Sequence, residues 1–126
     1  MSPDSNKAFI RRYFGALSGN DKPRSIQDAY IADSDEVLKD HIIAFEAAVP
    51  HYELIEEDMV AEGDRVAVRT TFKGTHEGEF FGVAPTGKDV TMPIMLIYRL
   101  PGDMIVEHWM VADLLGLMQQ LGAAPA

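Results

Sequence analysis

The chain has 126 residues, is 47% hydrophobic and 25% charged, carries a formal net charge of −9 and contains no cysteine. That length buries a core as one domain without staples, the composition excludes disordered and fibrous classes, and the missing cysteines exclude disulfides and thiolate metal sites. The acidity argues against nucleic acid as a partner, while the lack of a basic-then-apolar leader or of an apolar run near 18 residues argues against secretion and membrane spanning, so the cytoplasm is the expected address.

From Lys7 to Ser18, Phe9, Ile10, Tyr13, Phe14 and Leu17 recur on one helical face, and Gly19-Asn20-Asp21-Lys22-Pro23 ends the run. A short helix is expected around Ser25 to Tyr30. A stronger one is expected from Ser34 to Val49, with Asp33 as its cap and Glu36 completing a capping box, Val37, Leu38, His41, Ile42, Phe45, Ala48 and Val49 as its apolar stripe, and Pro50 as its stop. The period then changes to two. Strands are expected near Tyr52 to Val60, Arg65 to Lys73, Val90 to Leu100 and Met104 to Ala112, with turns at Ala61-Glu62-Gly63-Asp64, Pro85-Thr86-Gly87-Lys88 and Pro101-Gly102-Asp103. A helix from Leu114 to Leu121 closes the chain. The pattern predicts an α+β domain, helices first and an antiparallel meander after.

The third and fourth strands are apolar on both faces. In the third, Val90, Met92, Ile94, Leu96, Tyr98 and Leu100 share one face, yet Met95 and Ile97 share the other. Two helices cover one face, so a second copy is the expected cover of the other, and a homodimer by sheet contact is predicted.

No phosphate loop, nucleophile elbow or histidine pair at metal-ligand spacing occurs, and His41, His51, His76 and His108 fall on different elements, so no metal site is expected. The segment Glu107-His108-Trp109-Met110-Val111-Ala112-Asp113-Leu114-Leu115 carries the chemical signal. Period two places Glu107, Trp109, Val111 and Asp113 on one face, so Asp113 is expected beside an indole and aliphatic side chains, a setting in which a carboxyl suits proton transfer. The same aspartate precedes a helix and equally suits an N-cap. His108 falls on the opposite face from Trp109. Tyr13, His41, Phe45, Met92, Trp109 and His108 are the candidate lining of a cavity for a small molecule, taken as a bulky apolar carbonyl compound. A water-activating hydrolase would need Glu107 as a second carboxylate, and a non-catalytic binding or assembly module would use Asp113 only as a cap.

Three stretches carry a family resemblance: Ala61-Glu62-Gly63-Asp64-Arg65-Val66; Gly74-Thr75-His76-Glu77-Gly78-Glu79-Phe80 running on through Pro85-Thr86-Gly87-Lys88; and Glu107-His108-Trp109 through Asp113 to Leu114-Leu115-Gly116-Leu117 and Gln120-Leu121-Gly122. With these the chain resembles the SnoaL-like polyketide cyclases, of the superfamily sharing the nuclear transport factor 2-like fold. The resemblance implies a cone-shaped α+β barrel around an apolar cavity, commonly a dimer. It also implies that Asp113 acts as acid and base in an intramolecular aldol ring closure, or in an isomerase-type proton transfer, without metal or organic cofactor.

Overall fold

The structure is a computed structural model and describes residues 2–123. Helix α1, Pro3–Leu17, starts earlier than its apolar period suggests, because Ser2 and Ser5 form a reciprocal capping box and Pro3 fits the first turn. It buries Phe9, Ile10, Tyr13, Phe14 and Leu17, the predicted stripe. After α2, Arg24–Tyr30, a 3-10 turn over Asp33–Asp35 leads into α3, Glu36–Ala48. The cap of α3 is Asp35, whose side chain accepts the Leu38 N–H, and not Asp33 as the capping-box pattern suggested. Asp33 is instead drawn to the Lys39 ammonium at 3.0 Å. Val37 lies outside the apolar stripe, exposed, while Leu38, Ile42, Ala48 and Val49 are buried.

Strands β1, Glu53–Glu62, β2, Arg65–Thr75, β3, Asp89–Arg99, and β4, Glu107–Ala112, form one antiparallel sheet in the order β1-β2-β3-β4. The sheet curls without closing, since β1 and β4 remain its edges. Its concave face holds Val66, Val68, Phe72, Val90, Met92, Ile94, Leu96 and Tyr98, all buried, and α1 packs across β1 and β2. Helix α4, Leu114–Gln120, folds back onto β3, where Gln120 takes both backbone groups of Thr91. No helix among the described residues is long and apolar enough to cross a membrane.

Between β2 and β3 the chain forms a strap, residues 76–88. His76 is buried, and its Nδ1 accepts the Thr86 N–H, while the His76 and Gly87 backbones tie the strap's two ends together. The Glu77 and Gly78 N–H groups both donate to the Ala48 carbonyl at the end of α3. Gly78 sits so close that a Cβ there would be built into the Ala47 carbonyl oxygen. Gly78→Ala is therefore expected to lower stability by about 1–3 kcal/mol, the usual cost of forcing atoms into a packed site, read as a lower urea midpoint at unchanged slope.

Candidate active site

The register decides which side chains share the cone's interior. Tyr98 pairs with His108, Leu96 with Met110 and Ile94 with Ala112, so these residues face the helices. Trp109 and Val111 pair with Ile97 and Met95 and face out, 43% and 75% exposed. The indole does not line the interior; the Arg65 guanidinium stacks on it at 5.3 Å from the outer side. Asp113 likewise departs from the apolar setting expected for it. It is exposed just beyond the end of β4, and its Oδ1 accepts the Gly116 N–H at 2.9 Å as the N-cap of α4. The physical reason is parity: the outer face of β4 is as apolar as its inner one, so alternation alone does not say which face is interior.

What the interior does hold is a different carboxylate. Asp35 and His108 form a pair, with His108 Nδ1 at 2.7 Å from Asp35 Oδ2 and the two side chains 6% and 7% exposed. Asp35 Oδ1 already accepts the Leu38 N–H, so both of its oxygens act as acceptors. An accepting carboxylate requires the proton on Nδ1, which leaves the Nε2 lone pair of His108 without a partner among the described residues. His41, one turn into α3, faces the same place; its ring is 6.1 Å from that of His108, and its buried Nδ1 has no hydrogen-bond partner among the described residues.

Two phenols complete the polar end. The Tyr13 and Tyr98 rings lie 5.8 Å apart, edge to face, and both side chains are fully buried. Burial first, then the neighbouring phenol and the Asp35 charge, hold the Tyr13 pKa well above 10.0, and burial likewise raises Tyr98. Both therefore stay protonated donors at any working pH. An acid whose folded pKa exceeds its unfolded one stabilises the fold fully below the unfolded value and loses that contribution as pH rises past it. Stability is thus expected to fall above about pH 10, by up to about 1.4 kcal/mol per pH unit for each such tyrosine, and Tyr13→Phe should flatten that slope in urea titrations.

These groups adjoin a cavity of about 30 Å³ lined by Tyr13, Leu38, His41, Ile42, Phe45, Tyr52, Phe72, Ile94, Tyr98 and Met110 among others. Of the candidate lining residues, Tyr13, His41 and Phe45 line it, His108 stands between the lining residues Tyr98 and Met110, and Met92 is fully buried opposite Phe72. Asp35 and Tyr98 escaped the sequence reading. The alternation that put Tyr98 on the apolar face of β3 was the available signal for one, and for the other it was the second aspartate of Asp33-Ser34-Asp35.

A larger concavity, about 660 Å³, lies on the outer sheet face among Asp58, Val60, Ala67, Arg69, Met95, Ile97, Trp109 and Val111. It is wide and apolar, with no histidine or tyrosine, and offers little to proton chemistry. On the far side, Asp21, Glu46 and His51 bring ligand atoms within 4.8 Å of one another. Glu46 is already occupied there by the Lys22 ammonium at 2.7 Å and the His51 N–H at 2.8 Å, so the cluster ties the α1–α2 connection to the end of α3.

A curled antiparallel sheet wrapped on helices, with a polar patch at one end of an aromatic interior, defines the class: this is the nuclear transport factor 2-like α+β fold. Within it, the chain belongs to the SnoaL-like polyketide cyclase family, which it matches over residues 26–121. Among solved structures it is similar to AclR of Streptomyces galilaeus, provisionally designated a hydroxylase, at 29% identity and TM-score 0.87 over 99% of this chain and 85% of that one. It is also similar to IdmH of Streptomyces antibioticus, provisionally designated a polyketide cyclase, at 26% identity and TM-score 0.78 over 93% and 98%. TsrD of Streptomyces laurentii shares the fold at 24% identity and TM-score 0.84 over 98% of both chains. Nothing matches among curated protein sequences.

Proposed function

We propose that the chain is an enzyme that moves a proton alpha to a carbonyl of a small apolar compound, using His108 Nε2 as base and acid and Asp35 to hold its tautomer. The observation that carries this is the Asp35–His108 pair, nearly dry, with the His108 ring against that of the cavity-lining His41. His108 takes the α-proton, the resulting enolate oxygen receives a hydrogen bond from the Tyr98 hydroxyl or a His41 N–H, and the imidazolium returns the proton. In an aldol ring closure the enolate carbon attacks a second carbonyl of the same molecule, and the proton from His108 ends on that carbonyl's oxygen. Both reactions balance without a cofactor. The family membership and the designation of IdmH support a carbonyl substrate of the polyketide type.

Asp113 then serves at the surface as a helix cap. The test is exchange of the α-protons of 2-tetralone with deuterium oxide, followed by proton NMR. His108→Asn should slow the catalysed exchange by about 10²–10⁴-fold, and Asp113→Asn, which keeps the cap, should leave it within about threefold. The opposite ranking returns the chemistry to Asp113, and no exchange by the wild type favours a non-catalytic binding module.

We further propose that the chain works as a homodimer through the outer sheet face. Val60, Met95 and Val111 are 61%, 59% and 75% exposed there, a contiguous apolar surface of the kind that partners cover. A bulge in β1 between Glu56 and Asp58 turns Asp58 outward beside Arg69, and neither side chain has an ion pair among the described residues. A two-fold axis between facing sheets lets Arg69 of each protomer meet Asp58 of the other, which satisfies both charges in one isologous contact. A dimer without cysteines suits the reducing cytoplasm.

A further inference from the structure

The interior cavity is small, although it is not sealed. A cavity of about 30 Å³ admits a water molecule, whereas 2-tetralone or any bulkier ketone needs several times that volume. Some part of the wall must therefore move, and the structure differs sharply around the cavity in how firmly each part is held. The β2–β3 ladder, with its cross-strand hydrogen bonds, is one wall, and α1 packs on the sheet as another. The wall away from Asp35 is different. There Phe45 of α3 meets Phe72 at 5.4 Å and Tyr52 at 6.5 Å, both cavity-lining, and is backed by Phe80 of the strap at 5.5 Å.

Phe80 is 7% exposed, yet the backbone that carries it is lightly held. Between residues 79 and 85 the main-chain hydrogen bonds among the described residues are the reciprocal pair between Phe80 and Val83, which closes the turn onto itself. The strap is fastened at its ends, at Ala48 and at the His76–Gly87 contact. Both central residues of the turn have positive φ, Phe81 at 48° and Gly82 at 78°. Glycine takes that conformation freely, but for a bulky residue such as phenylalanine it is a strained outlier costing on the order of 1–3 kcal/mol. Phe81 moreover stands 68% exposed, its ring 4.5 Å from that of Phe80, so burial of its own side chain does not offset the strain.

We propose that the turn Phe80-Phe81-Gly82-Val83 is the gate of the interior cavity, with Phe80 as the plug that a ligand displaces and the strained Phe81 as the feature that keeps the closed form from being too stable. This rests on the reading of the interior as the ligand site. When the turn swings out on Gly78 and Pro85, Phe80 leaves the back of Phe45, the Phe45 ring gains room to rotate, and the apolar body of the ligand takes the vacated space. Phe80 is thereby a specificity-determining residue as well, because its volume sets the size of the ligand's apolar end.

The test uses uptake of N-phenyl-1-naphthylamine, a neutral fluorophore that brightens on burial, followed by stopped flow. Phe80→Ala should raise the association rate about tenfold or more, and Phe81→Gly, which removes the strain and stabilises the closed turn, should lower it about tenfold with an unchanged or higher melting temperature. An association rate unchanged in folded Phe80→Ala overturns the gate, as does faster uptake by Phe81→Gly. Should Phe80→Ala not fold, Phe80→Leu and hydrogen exchange of the wild type replace it: the Phe80 and Val83 amides should exchange by local opening, faster than the amides of the β2–β3 ladder. Exchange of those two amides only through global unfolding contradicts the proposal. Running Phe80→Ala in the His108→Asn background separates the two ideas, since faster uptake without proton exchange supports the gate whatever the identity of the base.

Discussion

Asp35→Asn is expected to leave the protein folded and to cut its proton-exchange activity by about 10²–10⁴-fold. Asparagine caps a helix about as well as aspartate, so its oxygen still accepts the Leu38 N–H and α3 still starts at Glu36. The group then facing His108 is an amide NH₂, which donates. His108 Nδ1 must turn from donor to acceptor, the ring proton moves to Nε2, and the lone pair that would take a substrate proton is gone. The geometry survives while the tautomer is wrong. Asp35→Ala makes the complementary point, because it removes the cap and leaves the buried His108 N–H unpaired. Together these cost about 2–5 kcal/mol, and that variant should melt markedly lower. Folded, inactive Asp35→Asn beside destabilised Asp35→Ala marks a carboxylate that both positions an imidazole and supports a helix, whereas full activity in Asp35→Asn excludes the pair from the mechanism.

The second large effect concerns association. Arg69→Asp places like charges together at both ends of the isologous contact and should raise the dimer dissociation constant at least about 100-fold, since such juxtapositions cost several kcal/mol. Reversing the pair, with Arg69→Asp and Asp58→Arg in one chain, restores opposite charges and should recover most of the affinity. Both changes lie on the outer face, away from the tyrosines and histidines of the interior, so the monomeric fold is expected to persist. Sedimentation equilibrium reads the result directly. A wild type that is monomeric at micromolar concentration, or a double swap no tighter than the single one, rules out this pairing.

Much of the architecture was legible because local signals agreed. Phe9, Ile10, Tyr13, Phe14 and Leu17 predicted the buried stripe of α1, and the alternation from Val90 to Leu100 separated the inner and outer faces of β3 residue by residue. The site was harder to read. Its members come from α1, the 3-10 turn, α3, β3 and β4, and only the register of β4 against β3 brings Tyr98 and His108 together. Alternation divides β4 into two sets without saying which is inside, and the outer set, with Trp109 and Val111, is as apolar as the inner one. Hydrophobicity therefore did not exclude the outer side of the sheet, where Trp109 stands, while Asp113 is exposed beyond the strand's end. Asp35 was masked in another way. In Asp33-Ser34-Asp35-Glu36 three carboxylates compete for one cap, and the winner is settled by Lys39, which takes Asp33, and by His108, which arrives from 73 residues away.

The protonation of the His108 ring tests the central claim most directly, read by long-range ¹H–¹⁵N NMR of the histidine side chains with and without 2-tetralone. The bare nitrogen of His108 is expected to be Nε2, with the proton on Nδ1 toward Asp35, and the Nε2 resonance is expected to shift when the ketone binds. A proton found on Nε2, or a ketone that perturbs the Asp113 carboxyl and leaves His108 unmoved, would contradict that claim.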